Sequence, residues 1–392
     1  MKLPVGYRYA SSYAGIRKEK RDDLALILSE RPASAAAIFT RNQVQAAPVK
    51  LARAHLRSSR GHARAILVNA GNANCATRTG DRTALATCRA VAKLLKTPLQ
   101  EILSASTGVI GVEMDPKLVV NALPRLFDRL SEIGFADAAR AITTTDRVPK
   151  MAFGEVPFRT GPVHIAGMTK GSGMIQPNMA TTLGFVMTDA EIGPQLLKPM
   201  LVKAADRSYH RITVDGDTST NDTLILLANG ASGIKPNPKE RLVFEEVLCW
   251  VMEDLAEKIA RDGEGARRLI VVHVQGARDD EEAVRLARAI ANSPLVKTAV
   301  AGCDANWGRI LSAAGNAGVA FDPSKASIYL QRVPVCRNGV AAEFSERDLK
   351  RMMDAQECLI RFVLEGGGPG ETRFWGCDLT EEYVKINASY RT

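Results

Sequence analysis

The chain has 392 residues, 46% of them hydrophobic and 24% charged, which excludes the disordered and fibrous classes and leaves room for two cores or one large layered body. No stretch approaches the roughly 18 consecutive apolar residues that a membrane span needs. The start, MKLPVGYRYASSYAG, lacks the apolar run of a secretion signal, so a soluble cytoplasmic protein with no membrane partner is expected.

The first buried strand predicted is Ala65–Asn69 (AILVN), short, apolar and β-branched. A helix over 83–95 follows, with Leu85, Cys88, Ala92 and Leu95 on one face, and the Glu101–Leu103 region also reads as helical. Further strands are expected at Leu183–Met187, Thr223–Ala228 and Leu269–Val274, with a helix over Glu245–Ala260. Asp279 and Asp280 can cap a last helix that turns Ala283, Ala287 and Ile290 inward. Strands and helices alternate without a fixed repeat, which points to an α/β fold.

The net charge of +9 raises nucleic acid as a partner. The 52 basic residues are dispersed, however, and aromatics make up only 5%, unlike the concentrated stripe of a nucleic-acid binder. A solvated basic surface that attracts anionic metabolites is the favoured reading. The seven cysteines are odd in number, widely spread and free of CxxC or Cys–His spacing, which favours reduced thiols over a disulfide framework or a zinc site.

Glycine gathers in compact polar motifs: NAGNAN at 69–74, STGVIG at 106–111, KGSGMIQPNMATT at 170–182, VDGDTSTND at 214–222, DGEG at 262–265 and DANWGR at 304–309. Tightly approaching backbone is what a site assembled from several loops requires. The five histidines occupy no nucleophile elbow or paired-ligand motif, and GxSxG, a Walker loop and HExxH are absent. Hydroxyl chemistry without histidine remains. An N-terminal threonine supplies its own base, because an α-amine titrates at roughly 7.7–8.0 and is held beside the hydroxyl by covalent geometry. Ala180-Thr181-Thr182 offers such a threonine if the chain cleaves itself between Ala180 and Thr181.

KGSGMIQPNMATTL at 170–183 resembles the self-cleavage motif of the ornithine acetyltransferase family, also called the glutamate N-acetyltransferase or ArgJ family. The likeness continues through NAGNANC (69–75), ASTGVIG (105–111), TTTDRVPK (143–150), RITVDGDTSTNDT (211–223), DGEGARRLI (262–270), DANWGR and YVKINASYRT (383–392). Three positions depart from the usual pattern, Ala305, Ser172 and Gln176, and are expected to affect loop shape only.

The resemblance implies a layered α/β sandwich of the ornithine acetyltransferase/aminopeptidase type. It is cut into an α chain, 1–180, and a β chain, 181–392, as a dimer of αβ units. Thr181 would carry an acetyl group from N2-acetylornithine to glutamate, releasing ornithine and N-acetylglutamate. Thr107 and Gly108 would stabilise the oxyanion. Substrate would meet Thr144 (or Thr145), Lys170, Thr181, Glu264, Asn387 and Thr392. No metal or other cofactor is implied, and His210, Asp215, Asp217 and Asp222 are expected to support the site by hydrogen bonding. Acetyl-CoA is a second acetyl donor for some members, a choice left open by these motifs. The rival enzyme reading is a self-processing aminopeptidase or amidohydrolase, in which water resolves the acyl-enzyme.

Overall fold

The computed structural model describes residues 2–176 and 182–389 and divides them into two compact units. The first takes residues up to 210 together with 217–259, and the second takes 211–216 and the chain from 260.

The first unit contains β1 (Tyr7–Ser12), β2 (Leu24–Phe39), α1 (Ala47–Ser58), β3 (His62–Asn72), α2 (Gly80–Leu95), β4 (Ile102–Val109), α3 (Pro116–Asp128) and α4 (Phe135–Ala141). These are followed by β5 (Lys150–Phe158), β6 (Gly161–Lys170), β7 (Leu183–Thr188), α5 (Pro194–Arg207), β8 (Thr223–Ala228) and most of α6 (Pro238–Arg261). The strands form one mixed sheet in the order β4-β3-β2-β8-β7-β6-β5, with β1 on β2. Only the β3/β4 and β7/β8 pairs are parallel.

Both faces of this sheet are buried, so its strands read as nearly continuous apolar runs. Leu24, Leu26 and Leu28 of β2 pack with Cys88 and Val91 of α2 and Leu123 of α3. The alternate residues Ala25 and Ile27 pack with Tyr9, Phe135 and Ala138. Period-2 alternation thus feeds two cores from one strand. At the other end of the sheet, Gly154 and Gly167 let α6 approach closely. A Cβ at either position would lie 2.7 Å from Val247 or 2.6 Å from Leu255, respectively.

Strand β2 pairs with β3 chiefly through residues 24–28, and with β8 through 34–39. A register shift separates the halves. The long strand therefore serves two different neighbours in turn.

The second unit contains β9 (Leu269–Ala277), α7 (Asp280–Asn292), α8 (Pro294–Ala301), α9 (Trp307–Gly315), β10 (Ala326–Leu330) and β11 (Val333–Arg337). It ends with β12 (Val340–Ala341), α10 (Glu346–Met353), β13 (Glu357–Leu364), β14 (Gly370–Cys377) and α11 (Glu381–Ser389). Its sheet order is β12-β11-β10-β13-β9-β14. Ile270, Val272 and Val274 pack under Ala283, Leu286, Ala287 and Ile290 of α7. Asp279 caps α7 by accepting from the Glu282 amide at 2.9 Å.

The predicted strands and the 83–95, 245–260 and Asp279 helices are all present. The helical expectation at Glu101–Leu103 is wrong. Leu99–Glu101 is one 3₁₀ turn, and Ile102 already begins β4, whose Ile102 and Leu103 are buried and paired in parallel with β3. Tertiary pairing decided a segment too short for periodicity to decide. All seven cysteines are buried free thiols. No helix among the described residues is long and apolar enough to cross a membrane.

Ile27 is fully buried between β1 and β3. Ile27→Ala should lower unfolding free energy by roughly 2–5 kcal/mol, read as a lower urea midpoint at unchanged slope.

Candidate active site

Strand β4 delivers Thr107 and Gly108 at its C-terminal end, level with Ala70 and Gly71 of β3. Gly108 has a φ of +131°, and a Cβ there would sit 2.5 Å from the Gly71 carbonyl carbon. Only glycine fits that crossing. Asn221, just before β8, braces the same strand ends: its Nδ2 donates to the carbonyls of Ala73 (2.7 Å) and Ser106 (2.9 Å).

Lys170 closes β6 opposite Leu183 at the start of β7. Its Nζ donates to the Thr107 hydroxyl oxygen at 3.1 Å, so the structure joins two expected site residues 63 positions apart in sequence. An ammonium donor occupying a lone pair of that oxygen leaves the threonine's own proton to point elsewhere. Burial pushes the Lys170 pKa down, while the charge of Asp146 pulls it back up.

Asp146 is the hub of the TTTDRVPK loop. Its Oδ1 accepts from Lys150 Nζ at 2.6 Å and from the Gly171 amide at 2.7 Å, and its Oδ2 accepts from the Thr144 amide at 3.0 Å. The side chains of Asp146 and Lys150 are both fully buried. Burial alone would raise the Asp146 pKa, but Lys150, Lys170 and the Gly171 amide together hold it at about 2. Asp222 shows the opposite balance. Burial drives its pKa well above the usual carboxylate range despite Ser219, Lys170 and Thr40, and its Oδ2 has no hydrogen-bond partner among the described residues.

The register of the threonine loop is visible. The Thr145 hydroxyl is engaged by Ser172 at 2.7 Å. The Thr144 carbonyl accepts from Arg21 at 2.7 Å. Ser172 thus bonds directly to one of the two threonines and sets the shape of the loop that carries them. Arg17 donates to the carbonyls of Ala70 and Thr143, tying the β3 end to the same loop.

In the second unit, Glu264 is buried and its Oε2 accepts from Asn387 Nδ2 at 2.9 Å. The DGEG loop and α11 meet again where Thr380 Oγ1 donates to the Gly265 carbonyl at 2.7 Å. Tyr383 OH lies 3.3 Å from Asp215 Oδ2. Ala180, Thr181 and Thr392, expected at the cleavage and substrate positions, lie outside the described residues.

His210 pairs with Asp206 at 2.6 Å, and Asp222 is the member of the VDGDTSTND motif whose charge bears on Lys170. The motifs alone give no role to Asp146 or Lys150, although both stand in the TTTDRVPK stretch. Their four-residue spacing is an ordinary helical pair, and the loop that buries it carries no periodic signal.

Because the folded-state pKa of Asp146 lies below its unfolded value of roughly 3.9, its stabilisation is complete above about pH 4 and is lost as pH falls toward 2. Asp146→Asn removes the carboxylate that pairs with the buried Lys150 ammonium. It should cost roughly 3–5 kcal/mol at pH 7 and flatten the acid limb of stability, as read by urea melts across pH 2–7.

Comparison with known proteins completes the assignment. The ArgJ family model matches residues 8–392. The arginine biosynthesis bifunctional protein ArgJ of Thermosynechococcus vestitus is 45% identical over 405 aligned positions, covering 99% of this chain and 96% of the relative. The protein of the same name from Dehalococcoides mccartyi is 45% identical over 395, again with 99% and 96% covered. Among solved structures, the ArgJ bifunctional protein of Bacillus halodurans superposes with a TM-score of 0.51 at 41% identity, covering 53% of this chain and 98% of that one. With matches that run almost end to end in both sequences, the chain belongs to the ArgJ family.

Proposed function

We propose that this chain is a self-cleaving acetyltransferase of arginine biosynthesis that moves an acetyl group from N2-acetylornithine to glutamate. The observation that carries the reading is the Lys170–Thr107 hydrogen bond beside Gly108, in a chain whose relatives are bifunctional arginine-biosynthesis proteins. In the cut, the Thr181 hydroxyl attacks the Ala180 carbonyl. The peptide nitrogen leaves as the α-amine of Thr181, and the resulting ester is hydrolysed. The products are an α chain, 1–180, and a β chain, 181–392. The solved Bacillus halodurans chain spans about half of this one, which supports a precursor divided near its middle.

The freed α-amine then takes the hydroxyl proton as Thr181 attacks the acetyl carbonyl of N2-acetylornithine. Collapse of the tetrahedral intermediate expels ornithine, whose amine receives that proton. Glutamate's amine attacks the acetyl-threonine ester in the second half-reaction and leaves as N-acetylglutamate. Thr107, through a hydroxyl proton directed by Lys170, and Gly108, through its amide, are the oxyanion donors in both halves. Thr144, Lys170, Thr181, Glu264, Asn387 and Thr392 hold the substrates. Engagement of the Thr145 hydroxyl by Ser172 supports Thr144 over Thr145. The enzyme works in the cytoplasm as a dimer of αβ units, without a metal or other cofactor. Acetyl-CoA is the candidate second donor, to be tested by its ability to label the same threonine.

Intact-mass measurement should find two fragments for the wild type and a single 42.3 kDa chain for Thr181→Ala. A cut at another bond, or in the variant, overturns the assignment. Incubation with N2-acetylornithine should acetylate the 181–392 fragment alone, and ornithine release should rise with glutamate. Release that ignores glutamate favours a hydrolase instead. Gly108→Ala should lower kcat by about 10²–10³-fold, measured on the purified cut protein.

A further inference from the structure

The first unit carries a cavity of about 570 Å³ that none of the residues with a proposed catalytic role lines. It lies where the end of β2 meets α1 and α5. Four cations, Arg41, Arg53, Arg57 and Lys198, line it, and its lining includes no carboxylate. None of the four has an ion-pair partner among the described residues, although neighbours on the same helices do. Lys50 of α1 pairs with Asp81 at 3.1 Å, and Lys203 and Arg207 of α5 pair with Glu245 and Glu246 at 2.8 and 2.9 Å. Arg41, Arg53 and Arg57 are exposed to solvent, so this unbalanced positive charge attracts an anion to the cavity.

The floor is apolar. Ile38, Phe39 and Leu56 line it beside the cations, and the Arg53 guanidinium lies over the Phe39 ring, 5.4 Å from its centroid. Gln45 Oε1 fixes the same guanidinium by accepting from its Nη1 at 2.8 Å. Lys198 Nζ is drawn inward onto the Ala37 carbonyl, and partial burial lowers its pKa. A positioned guanidinium plane can stack on a nucleobase as well as on an aromatic ring, while the remaining cations suit phosphate oxygens. The volume lies within the range of small-ligand sites, about 300–1,000 Å³.

We propose that this cavity is a second ligand site, for a nucleotide carrying two or more phosphate groups. The base lies on the Arg53–Phe39–Leu56 side, and the phosphates meet Arg41, Arg57 and Lys198.

The test is calorimetric titration of the purified full protein with ATP, adenosine 3′,5′-bisphosphate and inorganic tripolyphosphate. Both nucleotides should bind more tightly than tripolyphosphate, and added salt should weaken all three. Arg57→Ala and Lys198→Met should each weaken nucleotide binding about tenfold. Lys203→Met, which removes an exposed α5 cation outside the cavity, should leave it unchanged. Preference for ATP identifies a free nucleoside polyphosphate, and preference for the bisphosphate a nucleotide with phosphates on both sides of its ribose. Absence of heat with either nucleotide at millimolar concentration, tripolyphosphate binding as tight as ATP, or equal weakening by Lys203→Met would each overturn the proposal.

Discussion

The site in the first unit depends on one buried carboxylate. Asp146 accepts from the Lys150 ammonium and from the amides of Thr144 and Gly171. It thereby fixes the threonine loop to the first turn of backbone after β6. Lys170 precedes Gly171, so the same anion that orders the loop also sets the field in which the Lys170 ammonium sits. Without that compensating charge, burial would drive Lys170 toward its neutral form, and the donor to Thr107 would lose its charge. The hydrogen bond between β6 and β4 is thus an electrostatic consequence of a residue on neither strand.

Such a cluster is a costly way to build a core. Two charges with no solvent exposure have given up hydration, and their attraction repays it only through close geometry and further hydrogen bonds. Asp146 has both. Asp222 lacks the second on Oδ2, and burial correspondingly raises its pKa well above the usual carboxylate range. The contrast between two buried aspartates near one lysine follows from their hydrogen-bond partners rather than from depth.

Much of this was legible in the residues, for identifiable reasons. Leu183–Met187, Thr223–Ala228 and Leu269–Val274 announce themselves because both faces of their sheets are buried. Asp279 marks a helix start by its chemistry alone. The Glu101–Leu103 segment misleads because three residues carry no period. Thr107, Lys170, Glu264 and Asn387 stand in motifs that a family likeness can transfer, and the structure joins them pairwise. Asp146 and Lys150 stand in a quoted motif too, but burial gives them their role, and nothing in TTTDRVPK declares burial. The cavity cations are the extreme case. Positions 41, 53, 57 and 198 resemble a dispersed basic surface until β2, α1 and α5 gather them.

The place of β7 and β8 in the first sheet bears on what the proposed cut would do to the molecule. Both strands lie beyond residue 181, yet β8 sits between β2 and β7, and β7 between β8 and β6. One hydrogen-bonded sheet therefore contains strands from either side of the 180–181 bond. In an uncut precursor, unfolding is a first-order process of a single chain. In a form cut there, the same loss of structure would release two separate molecules, so the midpoint of unfolding would depend on protein concentration. Refolding likewise changes from a unimolecular search to an encounter, slower at high dilution. The precursor bond, while intact, acts as a tether that makes first assembly easy. Its removal would leave a particle whose persistence rests on how slowly the shared sheet opens.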